Sequence, residues 1–305
     1  MTNPITATKW KILELDDKEI ITSRLDSYQP LAGHLTFTNL ILWKDYYQFQ
    51  WGLYEDILLI QGISSKGNHL FLQPIGSTIS PELSPLLLSW LAENYKENTP
   101  SIIKTEERFL ANLSSNHNIL GTENRDDFDY LYNKTDLVEL KGKKYHSKKN
   151  HLNAFDRNYN WQFQPLDNNH IDECIAIAET WYKTRTSPEQ DTVLQAELKG
   201  ITYVLNNRQH LRMQGGVILI NGHVEAFSLG DTLNNNTAVI HIEKANPAIP
   251  HLSSLINQQS SQNTWGDLEY INRENDVGDP GLRQAKLSYR PIELIKKFTI
   301  TLKSS

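Results

Sequence analysis

One cysteine, Cys174, is all that the 305 residues contain. That excludes an intrachain disulfide framework and any zinc site built on cysteines. A chain without disulfides suits a cytosolic setting. Long apolar runs are missing too. No stretch approaches the ~18 residues that a membrane span needs, and the longest, such as Val217 to Ile220, are strand-sized. The opening Met-Thr-Asn-Pro-Ile-Thr-Ala-Thr-Lys-Trp lacks the apolar core of a secretory signal. These absences predict a soluble, cytoplasmic protein with no integral membrane segment. Excess positive charge is also absent. The net charge is −6, which argues against a general nucleic-acid binder but leaves room for a local basic patch. No Walker loop, dinucleotide fingerprint, Ser-His-Asp order or cysteine nucleophile occurs. Low-complexity segments and long flexible linkers are lacking as well.

What is present is a globular composition, 39 % hydrophobic and 22 % charged, long enough for one large domain or two ordinary ones. Helical spacing marks Leu15 to Tyr28. Phe37 to Trp43, with Tyr46 and Tyr47, forms an aromatic cluster best read as a core knot. Strands are expected at Tyr47 to Tyr54, Ile57 to Ile63 and His69 to Pro74. A helix follows, capped by Ser80 and opened by Pro81. In the second half, Ile171 to Tyr182 and Thr192 to Leu205 read as helices. Gly215 to Ile220 and Val224 to Gly230 flank Asn221-Gly222, a strong two-residue hairpin signal. Thr237 to Lys244 then completes a meander. A helix (Leu252 to Gln262), a strand (Leu268 to Ile271), a helix opened by Asp279-Pro280 and a long strand (Arg290 to Leu302) follow. The first half shows a weaker version of this order, which suggests a structural duplication without a visible sequence period. The expected division is 1–135 and 136–305, both α+β, each a mostly antiparallel sheet flanked by helices.

The chemistry concentrates in two stretches of the second half. In Val239-Ile-His-Ile-Glu-Lys-Ala245, alternation along a strand puts His241 and Glu243 on one face. They are either a general base and its neighbour or a structural ion pair with a satisfied histidine; no further ligand stands in register for a metal. In Tyr270-Ile-Asn-Arg-Glu-Asn-Asp276, an apolar strand opens into a polar loop, a common place for binding groups. Asn272 suits donation to a carbonyl, and Arg273 suits a carboxylate or phosphate. Glu274 and Asp276 complete the group. The alternative is a salt-bridged turn with Asp276 and Gly278 at the bend. Arg283 and Lys286 share a helix face, either a phosphate clamp or a solvated surface. The one basic element spans Lys141 to His151 and reads as a helix from Lys143 to Arg157. Tyr145, Leu152 and Phe155 face inward, and Lys144 and Lys148 lie on one face. It either contacts RNA backbone or anionic headgroups or is simply solvated.

Several of these stretches resemble a bacterial family, the DUF2156 group, related to the C-terminal domain of phosphatidylglycerol lysyltransferases. They are Phe37-Thr-Asn-Leu with Trp43, Phe128-Asp-Tyr-Leu-Tyr, Leu140 to Asn150, and Asn153-Ala-Phe. To these add His241-Ile-Glu-Lys-Ala, Ile271-Asn-Arg-Glu-Asn-Asp, and Gly281 to Tyr289 with Pro291. The resemblance implies tandem GNAT-like (acyl-CoA N-acyltransferase) folds and an acyl- or aminoacyltransferase. Glu243 would be the base, with His241 positioning it or the acceptor. Asn272, Arg273, Glu274 and Asp276 would bind substrate. Arg283, Lys286, Lys144 and Lys148 would bind phosphate. An inter-domain cleft in the C-terminal half is the expected place. No tightly bound cofactor is expected; the donor is aminoacyl-tRNA or an acyl-CoA, and the acceptor a small molecule, a peptide or a lipid headgroup. Acyl-CoA-dependent GNAT enzymes hold pyrophosphate in a glycine-rich loop. The corresponding Asn246-Pro-Ala-Ile-Pro-His251 has no glycine, and its two prolines offer no N–H. That favours aminoacyl-tRNA as donor, or a lost activity. The other readings are an acyl-CoA-dependent N-acetyltransferase of a small amine or peptide, and an inactive tRNA- or ligand-binding module.

Overall fold

A computed structural model describes residues 3–113, 118–185 and 191–303. They form two compact units. One comprises Met1–Asp129, Asn275–Pro280 and Leu294–Ser305; the other comprises Tyr130–Glu274 and Gly281–Glu293. Where the sequence reads one final strand, Arg290 to Leu302, the structure has a short β13 (Glu293–Ile295) and a separate β14 (Lys297–Leu302). Arg290 sits in the left-handed region at φ 56°, and Pro291 has no N–H to donate, so pairing starts late. The neighbours Lys297 and Phe298 are both buried, which breaks the alternation at the start of β14.

In the first unit, β1 (Lys11–Ile12), β2 (Gln50–Tyr54), β3 (Ile57–Ile63), β4 (His69–Leu72), β5 (Ser101–Glu106) and β6 (Ile119–Glu123) build one sheet with β14. Its order is β1-β2-β3-β4-β5-β14-β6. Only β4 and β5 are parallel, joined through α3 (Leu83–Tyr95). That helix buries Leu83, Leu87, Leu88, Trp90 and Leu91 on Phe71 and Ile102 of the sheet; each such side chain contributes about 1.5–3 kcal/mol. The expected aromatic knot is a helix, α2 (Phe37–Tyr47), which follows α1 (Lys18–Tyr28). The Thr36 hydroxyl accepts from the Asn39 amide, which starts α2 and fixes its entry. Tyr47 therefore ends a helix, and the strand expected from that position begins at Gln50. The short α4 (Glu107–Asn112) follows β5.

The second unit repeats the pattern. Its strands are β7 (Asp129–Asn133), β8 (Trp161–Pro165), β9 (Gln214–Ile220), β10 (His223–Asn234), β11 (Thr237–Ala245) and β12 (Tyr270–Asn272), in the order β7-β12-β11-β10-β9-β8. Asn221 and Gly222 both have positive φ, 53° and 88°, so the β9–β10 turn is the expected primed hairpin. Again one pair is parallel, β11 with β12. Its helices are α5 (Lys134–Glu139), α6 (His146–Asn158), α7 (Ile171–Arg185), α8 (Asp191–Asn206), α9 (Leu252–Asn263) and α10 (Pro280–Leu287). The crossover is α9, which buries Leu252, Leu255 and Ile256. The basic helix starts later than expected. Lys143–Tyr145 is a single 3-10 turn, and only from His146 is the chain α-helical, with Leu152 and Phe155 buried as anticipated.

Both sheets thus run through antiparallel strands to a parallel pair spanned by a helix, then to an antiparallel neighbour. The residue just beyond the last parallel pairing is Lys104 in the first unit and Arg273 in the second.

Candidate active site

The second unit gathers its charge where β11 and β12 stop pairing. The last parallel pair is Val239 with Asn272. Beyond it β11 carries His241 and Glu243, and the chain after β12 carries Arg273 and Glu274. Strict alternation fails on β11. Leu229 faces Ile242 and Gly230 faces Ile240, so His241 is the extra residue of a bulge, a device that re-aims a side chain. Gly230 is required there, because an added Cβ would lie 1.9 Å from the Val239 carbonyl oxygen.

His241 and Glu243 consequently have different partners. His241 Nδ1 lies 2.6 Å from Glu274 Oε1, and Nε2 lies 3.7 Å from Asp231 Oδ2. Its side chain is 1 % exposed. Burial opposes the charged ring, but the carboxylates of Glu274 and Asp231 outweigh it and push the pKa up to about 9. That direction favours the imidazolium form, which reaches Glu274 and Asp231 from the bulge.

Glu243 is held at both oxygens. Arg273 Nη2 donates to Oε1 at 2.9 Å, and Asn257 Nδ2 from α9 donates to Oε2 at 3.1 Å. Arg273 Nη1 and Asn257 Oδ1 are buried and find no hydrogen-bond partner among the described residues. One unmet donor and one unmet acceptor thus flank the carboxylate. The guanidinium lies 5.0 Å from the Tyr289 ring and 5.9 Å from that of Tyr132. Burial raises both phenols above their usual range, so they line the site as neutral aromatics.

The remaining expected residues divide. Lys148 belongs to this group. Its ammonium lies 3.7 Å from the Tyr289 ring centroid; burial, then the Arg273 charge, pushes its pKa down to about 8. Lys144 does not share its face, since it precedes α6; it is exposed and pairs with Asp136 at 3.3 Å. Asn272 is fully buried, and its side-chain oxygen accepts from the Glu274 amide at 2.8 Å. It shapes the turn that places Glu274 at φ 52°. Lys286 is buried as well, its ammonium donating to the carbonyls of Arg273 and Glu274 at 2.6 and 3.1 Å. It pins the loop, while Arg283 on the same helix stays partly exposed. Asp276 belongs to the first unit, where it accepts from the Gly278 amide and from Arg125; this is the salt-bridged bend. Sequence reasoning missed Asn257, Asp231, Tyr289 and Tyr132. The readable signals were an amide on the buried face of α9 and an acid, Asp231, near the end of the hairpin strand β10.

Among the described residues no cluster of three or more metal-ligating side chains occurs, and no helix is long and apolar enough to cross a membrane.

Two mixed sheets, each forked at a parallel pair, define tandem GNAT-like folds. Among solved structures, the chain matches an acetyltransferase of the GNAT family from Colwellia psychrerythraea (12 % identity, 97 % of this chain, 100 % of that one, TM-score 0.50). It also matches L-PGS from Bacillus licheniformis (15 %, 97 % and 95 %, TM-score 0.66). A protein of unknown function from Bacteroides thetaiotaomicron is more similar, at 29 % identity over 97 % and 100 % of the two chains, with a TM-score of 0.89. The family described as "Phosphatidylglycerol lysyltransferase, C-terminal" matches residues 27–301, and the chain belongs to it. No curated protein matches. Family and fold together point to a transferase of the acyltransferase type.

Proposed function

We propose that the protein transfers an aminoacyl group from aminoacyl-tRNA to an amine or hydroxyl, with the chemistry at Glu243 and Arg273. The observation that carries this reading is the unmet Arg273 Nη1 beside a carboxylate that the same guanidinium holds. A buried donor without a partner is costly, and it is repaid when a ligand oxygen arrives. Glu243 takes the acceptor's proton as its nitrogen or oxygen attacks the aminoacyl carbonyl. Arg273 Nη1 donates to the oxyanion that forms. Collapse breaks the ester bond, and the proton passes to the departing ribose oxygen. Asn257 Oδ1 is an acceptor for the donor's free ammonium, a group that an acetyl thioester lacks. Lys148 adds positive charge for phosphate.

The turn between β11 and α9 supports this choice of donor. Pro247 and Pro250 remove two N–H groups from the segment that leads into α9. His251, at φ 67°, precedes the helix without a side-chain cap bond.

Donor titration tests the reading. The purified chain is mixed separately with charged tRNA, uncharged tRNA, acetyl-CoA and coenzyme A, and its melting temperature is followed. A ligand that binds only the folded state raises it by mass action. Salt-sensitive stabilisation by charged tRNA, above that by uncharged tRNA, is expected. Stabilisation confined to the coenzyme A species would replace the proposal with acyl-CoA transfer. Equal stabilisation by charged and uncharged tRNA, with no turnover, would leave a tRNA-binding module.

A further inference from the structure

Two segments of the second unit contain no acid at all. Residues 141–151 carry five lysines, and residues 281–292 carry Arg283, Lys286 and Arg290. This runs against the balance of a chain whose net charge is −6. The fold brings the two segments together. Tyr145 Oη donates to the Tyr289 carbonyl at 2.9 Å, and the Lys148 ammonium lies 3.7 Å from the Tyr289 ring centroid. Both segments belong to the same compact unit.

Three features suit this face to an outside partner. Lys141, Lys143, Lys149 and Arg290 are exposed and have no ion-pair partner among the described residues. The cations with internal roles are different ones: Lys144 pairs with Asp136, and Lys286 is buried on two carbonyls. The tip that carries Lys141 and Lys143 also stands clear of the fold. Gly142 has φ 93°, and an added Cβ there would meet nothing within 4 Å. Finally, apolar side chains stand beside the charge. Leu287 and Ile292, 41 % and 47 % exposed, flank Arg290, whose amide donates to the Leu287 carbonyl at 2.9 Å. The exposed acids nearest in sequence, Glu139 and Glu293, lie just outside the two segments.

We infer that this face docks the protein onto an anionic lipid bilayer, with Lys141, Lys143, Lys149 and Arg290 at the headgroups and Leu287 and Ile292 in the interfacial layer. Surface binding of this kind sums electrostatic attraction and buried apolar area, and both are present here. A nucleic-acid backbone would use the cations and leave the two apolar side chains without a role. A folded partner needs a surface of matching shape, whereas a bilayer accepts single apolar side chains without one. The inference is independent of the reading of Glu243.

Sedimentation of the full chain with vesicles tests it, using phosphatidylcholine alone or mixed with phosphatidylserine. The parent should bind the mixed vesicles only, and less as salt is raised. Lys141→Gln/Lys143→Gln/Lys149→Gln should weaken partitioning by about a hundredfold, at about fivefold per basic residue near an anionic surface. Leu287→Ser/Ile292→Ser should weaken it by about tenfold. The substituted positions are all exposed, so both variants should melt close to the parent. No binding of the parent to the mixed vesicles would overturn the proposal. So would a variant of either kind that partitions like the parent. Loss of tRNA binding in the lysine variant, with its vesicle binding unchanged, would assign the face to RNA instead.

Discussion

Arg273 and Glu243 lie 30 residues apart in sequence, on the arms of one parallel strand pair, and meet at 2.9 Å with side chains only 12 % and 15 % exposed. The pair occupies Nη2 and leaves Nη1 without a hydrogen-bond partner among the described residues.

Removing one partner should therefore separate stability from activity. Arg273→Ala leaves Glu243 buried with only Asn257, and should cost on the order of 3 kcal/mol, as breaking buried pairs does. Glu243→Gln keeps shape and the Asn257 contact and should cost less. Urea unfolding of both variants checks the order. An Arg273→Ala variant as stable as the parent would show that the pair is solvated.

The charged state of His241 makes a pH prediction. Its pKa is about 9 in the folded protein and 6.5 in the unfolded chain. The folded form thus holds its proton more tightly. The resulting stability is fully present below about pH 6.5 and is lost as pH rises through 9, an amount on the order of 3 kcal/mol. His241→Gln should remove that decline from the stability-versus-pH curve between these limits. A parent curve that is flat there contradicts the assignment.

Lys148 and Lys144 should differ in reactivity. The first is pushed down to about 8 by burial and Arg273; the second is raised by its hydrogen bond to Asp136. Brief treatment with an amine-reactive reagent near pH 8, read by peptide mass spectrometry, should modify Lys148 first. Preferential modification of Lys144 would place Lys148 outside the site.

Much of this was legible in the sequence because local chemistry dictated it. Asn221-Gly222 fixes a hairpin, and Leu152 with Phe155 fixes the inner face of the basic helix. The duplication was visible as a repeated order of elements, since each half buries one helix across a parallel pair. The site was legible as two stretches and no further. Alternation put His241 and Glu243 on one face, but the bulge opposite Gly230 gives them separate partners, and a bulge is set by sheet register, which is non-local. Lys286 read as half of a phosphate clamp or as a solvated cation because helical spacing cannot show that two backbone carbonyls lie within its reach. Asn257 went unread because its partner, Glu243, precedes it across the β11–α9 turn.

Single-turnover transfer from charged tRNA tests the central claim most directly. Loss of the labelled aminoacyl group is followed in the presence of a pool of amine and hydroxyl acceptors, with the parent chain and with Glu243→Gln. The account predicts protein-dependent loss in the parent, a rate lower by about 10²–10⁴ in Glu243→Gln, and retained binding of charged tRNA by the variant. Equal rates in the two proteins, or a parent rate no faster than spontaneous deacylation, would contradict it.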